Sequence, residues 1–353
     1  MSRSFPVGRA LALLLSSVFF LSGCSVRQAE ILPDSPAQPV TSSFFAMDTV
    51  MELTLYGDET QLDAAQTCVE TLEAALSVTR EDSEIYAINH NGGGVLSAQT
   101  ADLLYQSLAL CSRTDGALDL SIYPVVRVWG FTTGEYRVPD PGELAALLAN
   151  VDYTRILLDM PSGRVDLPVG MEIDLGSVAK GYAGDRVTEL LRENGVTSAL
   201  LNLGGNVQAL GAKPDGSPWR VAVRDPFGSG YAGILEITDQ AVVTSGGYER
   251  YFVEDGQTYW HFLDPADGTP AHSGLASVTI VGSSGLVCDG LSTALFVMGL
   301  DSAAELWRAS DDFEAVLITE DGRIHITEGL ENAFSLSDGQ ADDSGLLTVI
   351  RRG

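Results

Sequence analysis

Positive charge is scarce in this 353-residue chain: 20 lysines and arginines stand against 48 aspartates and glutamates, a formal net charge of −28. Such an excess of acid excludes binding nucleic acid, or an anionic membrane surface, through charge. It also requires that a phosphorylated ligand meet local positive charge, from a helix end, a few basic side chains or a divalent cation. Cysteine is nearly absent, with 4 in the chain. Cys68, Cys111 and Cys288 lack paired spacing and are odd in number. That excludes a disulfide framework or a cysteine metal site and leaves them as small buried hydrophobes. The strands and helices follow no repeating period, which excludes a solenoid or propeller. The N-terminal apolar run, Ala10 to Leu21, is too short to span a bilayer comfortably.

What surrounds that run is informative. Arg3 and Arg9 form a basic flank, and Leu21-Ser22-Gly23-Cys24 puts small residues before a cysteine, the pattern of a bacterial lipoprotein export signal. Residues 1–24 read as that signal, with Cys24 the lipidated first residue of the mature protein; an uncleaved membrane anchor is the alternative. Either way the body lies outside the cytoplasm, anchored at the cell membrane, on the periplasmic side where an outer membrane exists. Residues 25–41, rich in proline and polar groups, read as a tether. Residues 42–330 form the body, and 331–353 a C-terminal segment. With 45% hydrophobic residues the body can bury a large core and fold as a single compact body of two lobes.

Along the body, Thr49 to Tyr56 alternates as a strand, with Met47-Asp48-Thr49 at its entrance. Helices are predicted from Asp58 to Val78, from Ser97 to Thr114 and, started by Pro141, from Val138 to Val151. Pro124 weighs against a central strand at Tyr123–Trp129. Ile156–Leu167 and Tyr251–Phe262 read as hairpins, and Trp219–Arg224, Gly233–Thr238, an Ala241–Tyr248 segment and Ala276–Val281 as strands. Gly290–Gly299 reads as a helix before a closing hairpin at Phe313–Thr319 and Arg323–Thr327. This mixture predicts an α+β fold with largely antiparallel sheets and packed helices.

The stretch from Glu172 to Gly211 organises the rest. Met171–Leu175 reads as a short strand with Asp174 near its end. Gly176-Ser177 opens a helix on Val178, Ala179, Tyr182, Val187, Leu190 and Leu191, which stops at Gly195. Val196–Asn202 is the next strand, running into the glycine turn Leu203-Gly204-Gly205-Asn206. Backbone N–H groups at the helix mouth attract phosphate oxygens, and Lys180 adds a point charge. The first turn is neither GxGxxG nor GxxxxGK[ST], and an ordinary β-α-β unit with a surface lysine is the competing account.

Four further sets could carry chemistry. In His261-Phe262-Leu263-Asp264-Pro265 the imidazole ends a strand beside a forced turn, as a catalyst or as a structural hydrogen-bonder. Asp289 and Thr293 are four apart, so on a helix they offer a carboxylate and a hydroxyl to one hard cation; an N-cap aspartate with a back-bonded threonine is the alternative. Acceptors in Met47-Asp48-Thr49 and Ala117-Leu118-Asp119 could receive ribose or ring N–H groups, though core and turn roles explain them equally. Thr244-Ser245-Gly246-Gly247-Tyr248-Glu249-Arg250 could grip a ring or a phosphate, or be a plain hairpin corner.

In this order the segments resemble the FAD:protein FMN transferase family, the ApbE-like flavin transferases, from Phe44 to about Thr319. The resemblance rests on Ala46-Met47-Asp48-Thr49, Asp115-Gly116-Ala117-Leu118-Asp119, Asp174 through Ala183, Leu203 through Asn206, Ser245 through Tyr248, His261 through Pro265 with Gly268, and Asp289 through Ala294. Ser177 stands where alanine is common, and Gly247 where a polar residue is frequent. The resemblance implies a T-fold-related architecture and Mg²⁺-dependent transfer of FMN from FAD to a threonine or serine of another protein, with release of AMP. It implies a metal held by the Ser177 carbonyl, Asp289 and Thr293, with Lys180 on the phosphates and His261 as general base or its orienting partner. Met47, Ala117, Asp119, Asp174 and Leu263 would line the flavin and adenine pockets. The implied partner is a redox protein carrying a Ser/Thr-Gly-Ala-Thr type motif, which this chain does not itself display. The same site could pass FMN to water, giving an FAD pyrophosphatase, and a flavin-binding lipoprotein without catalysis is a further alternative.

Overall fold

Strand structure starts earlier than Thr49, with exposure alternating along Val40–Ala46. Val40–Ala46 (β1) and Thr49–Leu55 (β2) pair antiparallel across Met47 and Asp48, whose φ values of 48° and 59° are left-handed. A two-residue turn of that hand matches strand twist and usually falls to Asn or Gly. Here Glu73 Oε1 accepts the Met47 N–H at 2.8 Å and fixes it. β1 therefore claims Val40 and Thr41 from the stretch read as tether. The structure, a computed structural model, describes residues 38–337 and 345–353; the signal, Cys24 and most of the tether lie outside them.

Asp58 opens α1 (Glu59–Leu76) with a capping box shared with Gln61, a feature worth about 1 kcal/mol. Leu62, Ala65, Val69, Leu72 and Leu76 form its buried stripe; each Leu or Val so buried contributes about 1.5–3 kcal/mol. Next come α2 (Glu84–Asn91), β3 (Gly93–Val95) and α3 (Ala98–Arg113), capped by Ser97. Pro124 sits in the first turn of α4 (Tyr123–Val128), and Asp140 caps α5 (Pro141–Leu148). After the β4 (Leu157–Asp159) and β5 (Arg164–Asp166) hairpin comes α6 (Gly176–Glu193). Then follow β6 (Ala199–Leu203), β7 (Asn206–Leu210), β8 (Trp219–Arg224), β9 (Tyr231–Ile237) and β10 (Ala241–Gly246). β11 (Tyr251–Glu254) and β12 (Gln257–Trp260) form a separate hairpin. β13 (Leu275–Gly282), α7 (Gly285–Met298), α8 (Leu300–Arg308), β14 (Phe313–Thr319), β15 (Ile324–Thr327), β16 (Phe334–Leu336) and β17 (Leu347–Ile350) complete the chain.

A nine-stranded sheet in the order β1-β2-β6-β7-β10-β13-β14-β15-β17 is the frame. Its neighbours run antiparallel except β15 and β17. Successive side chains of a strand point to opposite faces, and on the central strands β10, β13 and β14 both faces are buried. Val243, Ile280 and Leu317 pack with α7 and α8, whereas Val242, Val281 and Val316 pack with the small β16-β9-β8 sheet. The two lobes expected from the sequence are therefore two sides of one sheet, and Ala37–Gly353 is one compact unit.

Three segments differ from the sequence reading. Met171–Leu175 joins no sheet, because side chains and loops satisfy its backbone: Asn89 accepts the Ile173 N–H at 2.7 Å and donates to its carbonyl at 2.8 Å, and Asp174 N–H donates to Leu120 O at 2.9 Å. Thus α6 is not the crossover of a β-α-β unit; β6 follows it antiparallel to β2 and β7. α7 begins at Gly285, with Ser284 as N-cap, which places Asp289 inside the helix and rules out the capping role. The segment 331–353 is no appendage, since β16 pairs with β9 and β17 extends the main sheet. The three cysteines are free, Cys111 and Cys288 fully buried, and burial pushes all three thiols up, Cys111 to about 12.

Candidate active site

β2 starts, β6 ends, β7 starts and β10 ends at one edge of the main sheet, so the turns between them gather there. At Gly204 the approach is close: a Cβ would lie 2.3 Å from Thr49 Cγ2, which sets the Met47-Asp48 turn against the glycine turn. Gly204 and Gly205 both take positive φ, 66° and 96°.

The start of α6 meets the start of α7 through glycine. A Cβ on Gly181 would stand 2.1 Å from Gly285 O, and one on Gly285 would stand 2.4 Å from Gly181 O. Any side chain at either position would push the helices apart, because the opposing atoms are backbone. Asp185, one turn further along α6, accepts from Gly285 N–H (2.6 Å), Leu286 N–H (3.0 Å), the Ser284 hydroxyl (3.0 Å) and Gln208 Nε2 (2.8 Å). It fastens the first turn of α7 to α6.

Asp289 arrives, as a result, beneath α6. It is 5% exposed, and its Oδ2 accepts the Gly181 N–H at 2.8 Å. In a regular helix that N–H serves the Ser177 carbonyl; engaged by Asp289, it leaves that carbonyl with spare acceptor capacity. Burial raises the Asp289 carboxyl above its ordinary range, while Lys180 and the Gly181 N–H pull it down. Asn206 also acts on this carboxylate. Its Nδ2 is nonetheless a buried donor outside hydrogen-bonding geometry with any partner.

One turn along α7, the back-bonded hydroxyl is that of Ser292, donating to Asp289 O at 2.8 Å and paired with Ser245 Oγ at 2.8 Å. Thr293 Oγ1 has no hydrogen-bond partner among the described residues. Ser245 thus braces α7, and Gly246 makes room for Tyr248, whose Cε1 a Cβ would meet at 2.4 Å. No group of three His, Cys, Asp or Glu side chains suited to a metal occurs among the described residues. One carboxylate, one carbonyl and one hydroxyl make a sparse oxygen set, and magnesium usually keeps several waters or phosphate oxygens.

Asp174 stands before α6, whose N-cap, Leu175, has no side-chain cap; its Oδ1 accepts the Gly176 N–H at 2.8 Å. Burial raises this carboxyl, against the Gly176 N–H, Lys180 and Arg250. His261 follows β12, and both its N–H (3.1 Å) and Nδ1 (3.2 Å) point to Arg250 O. A carbonyl only accepts, so Nδ1 carries the proton and Nε2 keeps a free lone pair. Burial, then repulsion by Arg250, hold the imidazole down to about 3, with Lys180 adding to the repulsion. Although the Glu249 residue is exposed as a whole, crowding around its carboxyl and then the Asp289 charge push it up to about 7, against Lys180, Arg224 and Arg250. Lys180 is the charge common to all four groups.

The Lys180 charge thus reaches Asp174, His261 and Asp289 in one cluster, with Ser177 one turn before Gly181 on α6 and Thr293 one turn after Asp289 on α7. Ala117 and Asp119 line a neighbouring cavity of about 490 Å³ together with Tyr153, Asp264 and Pro265. Asp119 is held there by Ser121 N–H (2.8 Å), Ser121 Oγ (2.6 Å) and Tyr153 N–H (3.0 Å). Leu263 packs into the core with Trp129 and Leu144, so the residues after it line the cavity. Met47 packs against the core, and its turn approaches the glycine turn through Thr49 at Gly204. Sequence reasoning passed over Asp185, and it named Asn206, Glu249 and Arg250 only as members of their glycine turns. Glycines inside helices, Gly181 and Gly285, were the available signal of close approach.

A sequence profile of the ApbE family matches residues 47–317. An FAD:protein FMN transferase of Klebsiella pneumoniae is 35% identical over 83% of this chain and 93% of its own length; one of Treponema pallidum is 32% identical over 79% and 82%. Among solved structures, the ApbE protein of Thermotoga maritima superposes with a TM-score of 0.79 at 32% identity, covering 83% of this chain and 98% of that one. The apo flavinyl transferase ApbE of Pseudomonas stutzeri gives 0.75 at 28% identity, covering 85% and 99%. The profile match takes in β2, β6, β7, β10 and β13 of the main sheet and the helix pair that carries Asp289, and the chain belongs to the ApbE family.

Proposed function

We propose that this protein transfers FMN from FAD to a serine or threonine hydroxyl of an acceptor protein. The observation that carries this is the junction of α6 and α7, where Asp289 is locked under Gly181 beside Lys180 while His261 keeps a free, unprotonated Nε2. The acceptor oxygen forms a bond to the FMN phosphorus, the bond from that phosphorus to the bridging oxygen breaks, and AMP departs. His261 Nε2 takes the hydroxyl proton, and Nδ1 stays tied to Arg250 O, which keeps the ring aimed. Lys180 offsets charge growing on the phosphoryl oxygens. Asp289, the Ser177 carbonyl and Thr293 Oγ1 would hold Mg²⁺, which when bound supplies a Lewis acid to the diphosphate. The unpartnered Thr293 hydroxyl is consistent with an oxygen ligand there, and the unsatisfied Asn206 Nδ2 with a donor to a phosphate oxygen. In a chain so acidic, a metal and Lys180 together account for how a diphosphate is tolerated.

The N-terminal pattern supports a lipid anchor at Cys24 and a place on the outer face of the cell membrane; a Cys24→Ala chain should then no longer sediment with membranes. The acceptor, in this reading, is a redox protein bearing a Ser/Thr-Gly-Ala-Thr type motif. The test of the reaction is acceptor dependence: full-length enzyme in detergent with FAD and Mg²⁺ should release AMP in step with acceptor consumed. Equal AMP release without acceptor, with free FMN, would instead make the protein a pyrophosphatase.

A further inference from the structure

In so acidic a chain most described arginines sit in ion pairs, Arg113 with Asp312 at 2.6 Å and Arg192 with Asp239 at 2.9 Å among them. Arg250 has none. It leaves the turn after β10, and its guanidinium makes one long contact, from Nη1 to Phe131 O at 3.4 Å. Yet Asp174 and Glu249 both lie within reach of its charge, and it is open to solvent. Most of its donors are thus unused at the mouth of the cluster. Its main chain is not idle: the same residue's carbonyl receives both His261 N–H groups.

We infer that Arg250 is a phosphate-binding residue of this site, its guanidinium taking diphosphate oxygens of FAD on the His261 side while its carbonyl aims the imidazole. The inference rests on the function proposed above and adds a residue to it. A guanidinium presents paired donors that match two phosphate oxygens, which the Lys180 ammonium cannot do. One residue then sets the distance between the base and the phosphoryl group it serves. The two roles are separable, because substituting the side chain leaves the carbonyl in place.

The test compares the full-length wild-type protein with Arg250→Gln and Arg250→Lys, measuring FAD binding by flavin fluorescence with Mg²⁺ present, then its displacement by inorganic pyrophosphate. Arg250→Gln should weaken FAD by about 10- to 100-fold and lose competition by pyrophosphate. Arg250→Lys should recover part of both, and thermal melting should be alike in all three. Unchanged FAD affinity in Arg250→Gln would overturn the inference. So would weakened FAD with pyrophosphate competition intact, which would mean that Arg250 only shapes the pocket. If the wild-type protein neither binds FAD nor transfers FMN, the proposed function itself fails, whatever Arg250 does.

Discussion

His261→Ala should bind FAD as the wild type does and transfer FMN more slowly by about two to four orders of magnitude, the usual contribution of a positioned general base. The expectation follows from where the ring is fixed. Nδ1 is tied to Arg250 O, and the imidazole packs against Phe131 and Phe262, so only Nε2 is left for chemistry. A ring held down to about 3 stays unprotonated on mild acidification, and kcat/KM should show no loss with an ordinary histidine midpoint. An inflection near neutrality belongs to Glu249, pushed up to about 7, and should vanish in Glu249→Gln. If it persists there, His261 titrates normally and the burial argument is wrong. If His261→Ala loses FAD as well, the histidine is a pocket wall.

Asp289→Asn should lose transfer by about a thousandfold or more with the fold intact. An asparagine can still accept the Gly181 N–H through its carbonyl oxygen, so the helix contact survives while the charge is lost. Burial raises the Asp289 carboxyl, which means that folding favours its neutral form. In the metal-free protein its ionised form therefore destabilises the fold once pH exceeds the unfolded carboxylate value, and that cost persists above the folded one. The amide removes that cost, so Tm without Mg²⁺ should hold or rise. The upward shift of Tm expected from Mg²⁺ in the wild type should disappear. Wild-type transfer by Asp289→Asn would remove Asp289 from the metal site.

Local signals were legible where backbone groups were satisfied locally. Asp58 and Ser97 announced α1 and α3, and the Pro161-Ser162-Gly163 and Glu254-Asp255-Gly256 turns marked their hairpins. Asp289 and Thr293 were correctly placed on one helical face. Long-range partners were not legible. Met171–Leu175 has a strand's pattern, but Asn89, 84 residues away, takes the ladder's place. Gly285 and Gly290 lower helix propensity and disguised the first turn of α7, although glycine is what lets α6 and α7 touch. Thr293 and Ser292 are indistinguishable in sequence as back-bonders; the contact with Ser245 on β10 decides between them. The segment ending at Arg250 read equally as a grip for a ring or phosphate and as a plain hairpin corner, because the contact of its carbonyl with His261 spans a turn and a separate hairpin.

The most direct test is the intact mass of an acceptor protein after incubation with the full-length enzyme in detergent, FAD and Mg²⁺, with and without EDTA. A gain equal to one FMN phosphoester that disappears with EDTA is the predicted result. An acceptor of unchanged mass, whether FAD is split to FMN and AMP or left whole, would contradict the account.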